Sequence, residues 1–204
     1  VFAEVLAETG EFRLSFFICP YYARALPIWY ACLDYPKQSG GKTCMVIVLF
    51  RHGEAEDSTD MRDDGLRSLT TKGRKRTKKM AKVVNKLLPK KRKIQIWSSP
   101  LLRALQTAEI LADQVGVKVK IHNAISNGDF EMLCANLNDC HEEDCVLIVG
   151  HQPFLGEWTE QLTGLQLPFR KSTAVGLRYK SNAVVDNRLE GELLWYVQPR
   201  FSKK

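Results

Sequence analysis

A chain of 204 residues, 45% hydrophobic and 26% charged, is long enough to bury one sizeable core and has the composition of an ordinary globular domain. Its formal charge of +7 lies wholly beyond residue 44, because residues 1–44 balance four acids (Glu4, Glu8, Glu11, Asp34) against four bases (Arg13, Arg24, Lys37, Lys42). That excess points toward an anionic substrate or partner. The six cysteines form no CxxC pair and fit neither a zinc site nor a disulfide framework, so they read as free thiols of a cytoplasmic protein.

In chain order, the first tract of note is FRLSFFICPYYARALPIWYACL, 12–33, apolar and aromatic but interrupted by Pro20, Arg24 and Pro27. It lacks the roughly 20 clean apolar residues of a membrane span. The acidic segment before it is unlike the basic start of a signal peptide. KQSGGK, 37–42, reads as a flexible linker, and the first methionine, Met45, follows it. The expectation is therefore an appendage over 1–44 and a functional domain over 45–204.

From Met45 the pattern alternates strand and helix. Val46–Phe50 is a buried strand that ends directly in Arg51-His52-Gly53. Thr70 or Thr71 caps a helix whose apolar stripe is Met80, Val83, Val84, Leu87 and Leu88, with Lys78, Lys79, Lys82 and Lys86 on the other face and Pro89 as its stop. IQIWS, 94–98, is a second strand. Ser99 then reads as the cap, and Pro100 as the first residue, of a helix running to Gly116. VKVKIH is an edge strand, a short helix covers 129–138, and CVLIVG, 145–150, is a strand buried on both faces. A helix from HQP to about Leu162, stopped by Gly164, and strands at 173–179 and 192–198 complete the pattern. This alternation predicts a three-layer α/β/α sandwich around a mostly parallel sheet.

Three segments share one form, an apolar strand followed by a sharp polar turn: LFRHG at 49–53, WSSPLLRA at 97–104 and VGHQP at 149–153. In a parallel sheet the carboxyl ends of the strands share one edge, and ligands bind in the crevice outside it. Arg51, His52, Arg103 and His151 therefore converge, and two arginines with two histidines suit a doubly charged oxyanion. Guanidinium forks grip phosphate oxygens, and a neutral imidazole can attack phosphorus. No metal or cofactor is called for, and His122 and His141 lie in unrelated contexts.

RHGE at 51–54, SSPLLRALQTAEILA at 98–112 and GHQP at 150–153 resemble the histidine phosphatase superfamily, which includes the phosphoglycerate mutases. The resemblance covers 45–204 and implies a phosphoglycerate mutase-like fold. It makes His52 the nucleophile that becomes phosphorylated, with Arg51, Arg103 and His151 holding the phosphoryl group. RHGEA followed by DDGLRSLTTKG resembles the SixA-type phosphohistidine phosphatases within that superfamily, with Arg67 and Gly73 matching and Ser68 standing where proline is usual. Ala55 and Ser58 depart from the mutase and sugar-phosphatase branch, and LEGE at 189–192 lies too late to be its acid motif.

This resemblance implies a metal-independent phosphatase acting on phosphohistidine in a signalling protein, with Arg67 gripping the substrate. A leaving imidazole needs little acid assistance. Asp129 and Glu131, with Glu54 behind them, are the candidate proton donors should one be required. The alternatives are a small-molecule phosphomonoesterase of the same superfamily and a non-catalytic module that binds phosphate or phosphohistidine. KGRKRTKK and KKRK hold no interleaved aromatic residues, which argues against nucleic acid, and their lysines could instead steer an acidic signalling domain to the site.

Overall fold

Strand-forming runs with every residue apolar need cover on both faces, and they receive it. The computed structural model describes residues 3–9, 12–18, 44–57, 61–185 and 188–199. In chain order these form β1 (Ala3–Thr9), β2 (Phe12–Ile18), β3 (Met45–Arg51), a 3-10 turn (Met61–Leu66), α1 (Thr71–Leu87), β4 (Ile94–Ser98) and α2 (Leu102–Val115). β5 (Val119–Ile121), α3 (Asn123–Asn127), α4 (Phe130–Asn138), β6 (Cys145–Gly150), α5 (Phe154–Thr163), β7 (Ala174–Val185) and β8 (Arg188–Pro199) follow.

The sheet order is β1-β2-β8-β7-β3-β6-β4-β5. β3, β6, β4 and β5 are mutually parallel. β7 runs against β3, and β8 against β7, so within the six strands from β8 to β5 only β7 is reversed. The sheet is thus mostly parallel in strand direction, as the alternating pattern predicts. The hairpin β1–β2 adds to the β8 edge through antiparallel pairing of Phe12–Ser15 with Tyr196–Pro199. The expected linker at 37–42 and the apolar tract beyond Ile18 lie outside the described residues.

Side chains of one strand point alternately to the two faces. Val46, Val48 and Phe50 pack with Met80, Val84, Ala104, Ala108 and Leu111, so α1 and α2 cover one face. Met45, Ile47 and Leu49 pack with Ile125, Leu133, Leu155 and Trp158, so α3, α4 and α5 cover the other. Two cores of this kind make the three layers.

Local signals place the helix ends. Thr70 caps α1, its hydroxyl accepting from Gly73 N at 2.8 Å. Gly116 and Gly164 end α2 and α5 in the left-handed conformation, at φ 78° and 72°. One cap differs from expectation. The residue preceding α2 is Leu101, which makes no side-chain cap bond, and the helix starts two residues later than Pro100. The Ser99 hydroxyl accepts from Leu101 N at 3.2 Å, ahead of the helix, and also meets His151 Nε2 at 2.8 Å, so it serves the turn and the tertiary pairing together. β7 and β8 also run past their apolar stretches, because backbone pairing carries the ladder on to Val185 and Arg188.

Candidate active site

The carboxyl ends of β3, β6 and β4 are knitted together by backbone bonds. His52 N donates to Gly150 O at 3.1 Å, and Ser99 N to Val149 O at 3.1 Å. The turn leaving β3 is thereby set beside the turn leaving β6. The imidazole rings of His52 and His151 lie with centroids 5.0 Å apart, inclined at 51°. Arg51 ends β3, and Arg103 rises from the first turn of α2; His52, Arg103 and His151 are all buried.

His52 has a defined tautomer. Its Nδ1 lies 2.7 Å from the Gly53 carbonyl, which can only accept, so Nδ1 carries the proton and Nε2 keeps its lone pair. Burial pushes its pKa down to about 3, with His151, Arg103 and Arg51 adding to the effect against the Gly53 hydrogen bond. Burial likewise lowers His151 to about 4, with Arg103 contributing and Asp64 opposing. Two neutral imidazoles at physiological pH result, one of them with a free nucleophilic nitrogen.

The guanidiniums are anchored at one end and open at the other. Arg51 NH1 donates to Phe169 O at 2.6 Å, and Arg103 NH1 donates to Asp64 O at 2.7 Å. Arg51 Nε, Arg103 Nε and His151 Nδ1 are nonetheless buried without hydrogen-bond partners. A buried polar group left unpaired typically costs about 1–3 kcal/mol. Three of them from one four-residue cluster indicate a site built for an acceptor-rich ligand.

Several contributors escape sequence reasoning. Asp64, on the 3-10 turn, accepts from Arg103 NH2 at 3.1 Å through Oδ2 and from Arg67 Nε at 2.8 Å through Oδ1. Burial pushes its carboxyl up, but the Arg67 hydrogen bond and the charges of Arg103 and Arg67 outweigh this and hold it below the usual carboxylate range. Asp64 is therefore ionised at neutral pH and serves as a bridge rather than a proton donor. Thr107 donates to Arg103 O at 2.7 Å and accepts from Gly53 N at 3.0 Å, while Gln106 accepts from Leu69 N at 2.8 Å. These are the Gln-Thr of the helix motif, and their chemistry was available in LLRALQTA although their partners were not. Ser172, buried in the left-handed region at φ 63°, donates its N–H to the carbonyls of both Arg51 and His52 at 3.1 Å. No periodicity or motif marks it.

Both motif glycines answer to close packing. A Cβ on Gly53 would lie 2.4 Å from Thr77 Oγ1, and one on Gly73 would lie 2.0 Å from the Glu54 carbonyl oxygen. The RHG turn and the start of α1 thus touch backbone to backbone.

Of the remaining expected residues, Arg67 does not join the four directly. It reaches them through Asp64 and also donates to Glu56 O at 3.1 Å. Glu54 pairs with Arg76 at 3.0 Å. Asp129 caps α4, accepting from Met132 N at 2.9 Å, and Glu131 is exposed in the first turn of that helix. None of these three carboxylates is hydrogen-bonded to Arg51, His52, Arg103 or His151. Among the described residues, no group of three or more His, Cys, Asp or Glu is arranged to hold a metal ion.

The family model of the histidine phosphatase superfamily (branch 1) matches residues 47–136. An uncharacterized protein of Picosynechococcus sp. is 36% identical over 165 residues, which span 77% of this chain and 98% of that protein. The chain belongs to the histidine phosphatase superfamily. Among solved structures, the protein histidine phosphatase SixA complexed with tungstate shares 26% identity at a TM-score of 0.59, over 74% of this chain and 96% of that one. A mycobacterial glucosyl-3-phosphoglycerate phosphatase shares the fold at 18% identity and a TM-score of 0.54, over 72% of this chain and 96% of its own. Membership gives the phosphoglycerate mutase-like fold that the motifs imply. Solved structures of this fold thus include one named for protein histidine and one named for glucosyl-3-phosphoglycerate, so the fold leaves the substrate open.

Proposed function

We propose that this histidine phosphatase hydrolyses phosphohistidine on a protein, through a phosphorylated His52 and without a metal ion. The observation that carries the reading is the open cluster: an imidazole with its Nε2 lone pair available, grouped with two unpartnered guanidinium Nε–H donors and the unpartnered Nδ1 of His151. His52 Nε2 attacks phosphorus in line, and the P–N bond to the substrate imidazole breaks. That imidazole leaves neutral when the substrate is taken in its ring-protonated form, with a proton on its other nitrogen. Arg51, Arg103 and His151 stabilise the charge spreading over the equatorial oxygens. Water then attacks phospho-His52, returning the imidazole and inorganic phosphate.

The choice of a phosphohistidine over an ester follows from the acids. An alkoxide is a poor leaving group and needs a positioned proton donor. Here Asp64 is held ionised between two arginines, Glu54 is paired with Arg76, and Asp129 caps α4. A substrate whose leaving group is a neutral imidazole suits such a site. The likeness to SixA, at 26% identity, supports the same choice. In this reading Arg67, half-buried and paired with Asp64, contacts the protein that carries the phosphohistidine.

The test is phosphate release from a histidine-phosphorylated protein, beside a sugar phosphate and a phosphoserine peptide, with chelator present. Release from phosphohistidine alone is expected, and His52→Ala should reduce it by ~10³-fold or more, as loss of a nucleophile does. Acid-labile phosphate trapped on the wild-type chain and absent from His52→Ala would identify the intermediate. Comparable release from the esters would return the protein to the small-molecule branch. Binding of phosphate with no release at all would make it a non-catalytic module.

A further inference from the structure

Twelve of the chain's 30 Lys and Arg, and none of its 23 Asp and Glu, fall between residues 71 and 93. The other eighteen bases are outnumbered by the acids, so beyond this stretch the protein is net negative. α1 buries Gly73, Thr77, Met80, Ala81, Val84 and Leu87 on one side. Its exposed side carries Lys75, Lys78, Lys79, Lys82 and Lys86, spaced i, i+3, i+4, i+7, i+11 as one stripe. Like charges at these spacings destabilise a helix by a few tenths of a kcal/mol per pair, and a merely solvated face is usually built with alternating signs. The stripe works against α1 as an isolated element.

It also lies beside the active site. The first turns of α1 are fastened to the RHG turn by Thr70 N on Glu54 O at 2.9 Å and by Gly73 against the Glu54 backbone. Thr77 meets Ser172 at 3.3 Å between hydroxyls. From Lys75 the stripe extends away for about 16 Å at the helical rise.

We infer that the lysine face of α1 is a docking surface for an acidic protein, which it holds while a phosphohistidine of that protein enters the pocket. This rests on the phosphohistidine reading of the site. Three observations select a protein over other polyanions. Residues 71–93 contain no Phe, Tyr or Trp on which bases could stack. The exposed large hydrophobic residues among the described ones are Leu66, Ile121 and Met132, none on α1, so the face has no apolar anchor for a bilayer. Those three lie instead on segments leaving the catalytic edge of the sheet. Leu66 is on the turn that brings Asp64 to Arg103, and Ile121 ends β5. Met132 lies in the first turn of α4, just after the α3–α4 loop that packs on Phe154. Exposed apolar side chains at the catalytic edge, together with a basic helix face, complement a protein surface that mixes apolar contacts with carboxylates.

The test uses histidine-phosphorylated peptides of one length with glutamate, glutamine or lysine flanks, and free phosphohistidine as the small substrate. The wild type should turn over the glutamate-flanked peptide about tenfold faster in kcat/KM than the lysine-flanked one at low salt. Lys75→Glu, Lys78→Glu and Lys82→Glu combined should abolish or invert that order, as should high salt for the wild type. Free phosphohistidine should be hydrolysed equally by both. The triple Gln variant should lie between them and guards against a folding artefact. Fluorescence anisotropy with the unphosphorylated peptides, a short DNA duplex and phosphatidylserine vesicles reads the surface without catalysis. Flank-independent turnover and binding would overturn the proposal, and so would tighter lysine-dependent binding to the duplex or the vesicles. If no phosphohistidine is hydrolysed while lysine-dependent binding to the acidic peptide persists, the catalytic reading fails and the docking surface stands.

Discussion

Arg103→Lys keeps the positive charge and removes the planar fork, so it separates charge from geometry at the proposed phosphate pocket. A lysine cannot hold Asp64 at one end while presenting a second donor inward, and kcat/KM should fall by ~10²-fold, the cost of one lost transition-state donor. Asp64→Ala acts through the arginines instead. Arg103 and Arg67 lose their shared anchor, and kcat/KM should drop by about tenfold, the ~1.4 kcal/mol of one charge-assisted hydrogen bond. The histidines make a sharper prediction. With His52 lowered to about 3 and His151 to about 4, their ring signals in NMR should not move between pH 6 and 8. A ring titrating near 6.5 and lost in His52→Ala would refute the buried, neutral nucleophile.

At the scale of elements, α1 meets the RHG turn so closely that its register governs the site. Helix propensity alone would favour Gly73→Ala by about 1 kcal/mol. The Cβ would lie 2.0 Å from the Glu54 carbonyl oxygen, a backbone atom that cannot swing aside. Overpacking of about 1–3 kcal/mol should therefore win, lowering the urea midpoint and activity together. On α2, Thr107→Val preserves shape and leaves Gly53 N–H unpaired, a loss of about 1–3 kcal/mol in the same denaturation experiment. The turn before β7 acts as a third clamp, Phe169 and Ser172 fixing the side chain of Arg51 and the carbonyls of Arg51 and His52.

The whole molecule couples its site to its stability. The His52 and His151 imidazoles bind protons more weakly in the folded chain than in the unfolded one, where about 6.5 applies. Below pH 6.5 the unfolded state takes up protons that the folded state refuses, so stability falls on acidification. The loss continues until the folded values near 4 and 3 are passed. His52→Asn should flatten that part of the stability–pH curve, measured as the thermal midpoint across pH 4–7. No helix among the described residues is long and apolar enough to cross a membrane.

From Met45 onward the residue pattern specifies the layers and most of the order of strands and helices, and it brings Arg51, His52, Arg103 and His151 to one edge; the β1–β2 hairpin and α3 do not stand out in it. Continuous apolar runs demand burial on both faces, and a parallel sheet then puts its carboxyl termini on one edge. Those are local and topological constraints, visible in residues such as Val46–Phe50 and Cys145–Gly150. What Ser99, Asp64, Thr107 and Ser172 do is set by packing. Each has a short polar side chain, or a backbone N–H, that could equally bond a neighbour in sequence. The partner it takes, His151, Arg103, the Gly53 N–H or the carbonyls of Arg51 and His52, lies 39 to 121 residues away. Such pairings form only once packing has brought distant turns into hydrogen-bond range, and no spacing along the chain encodes them.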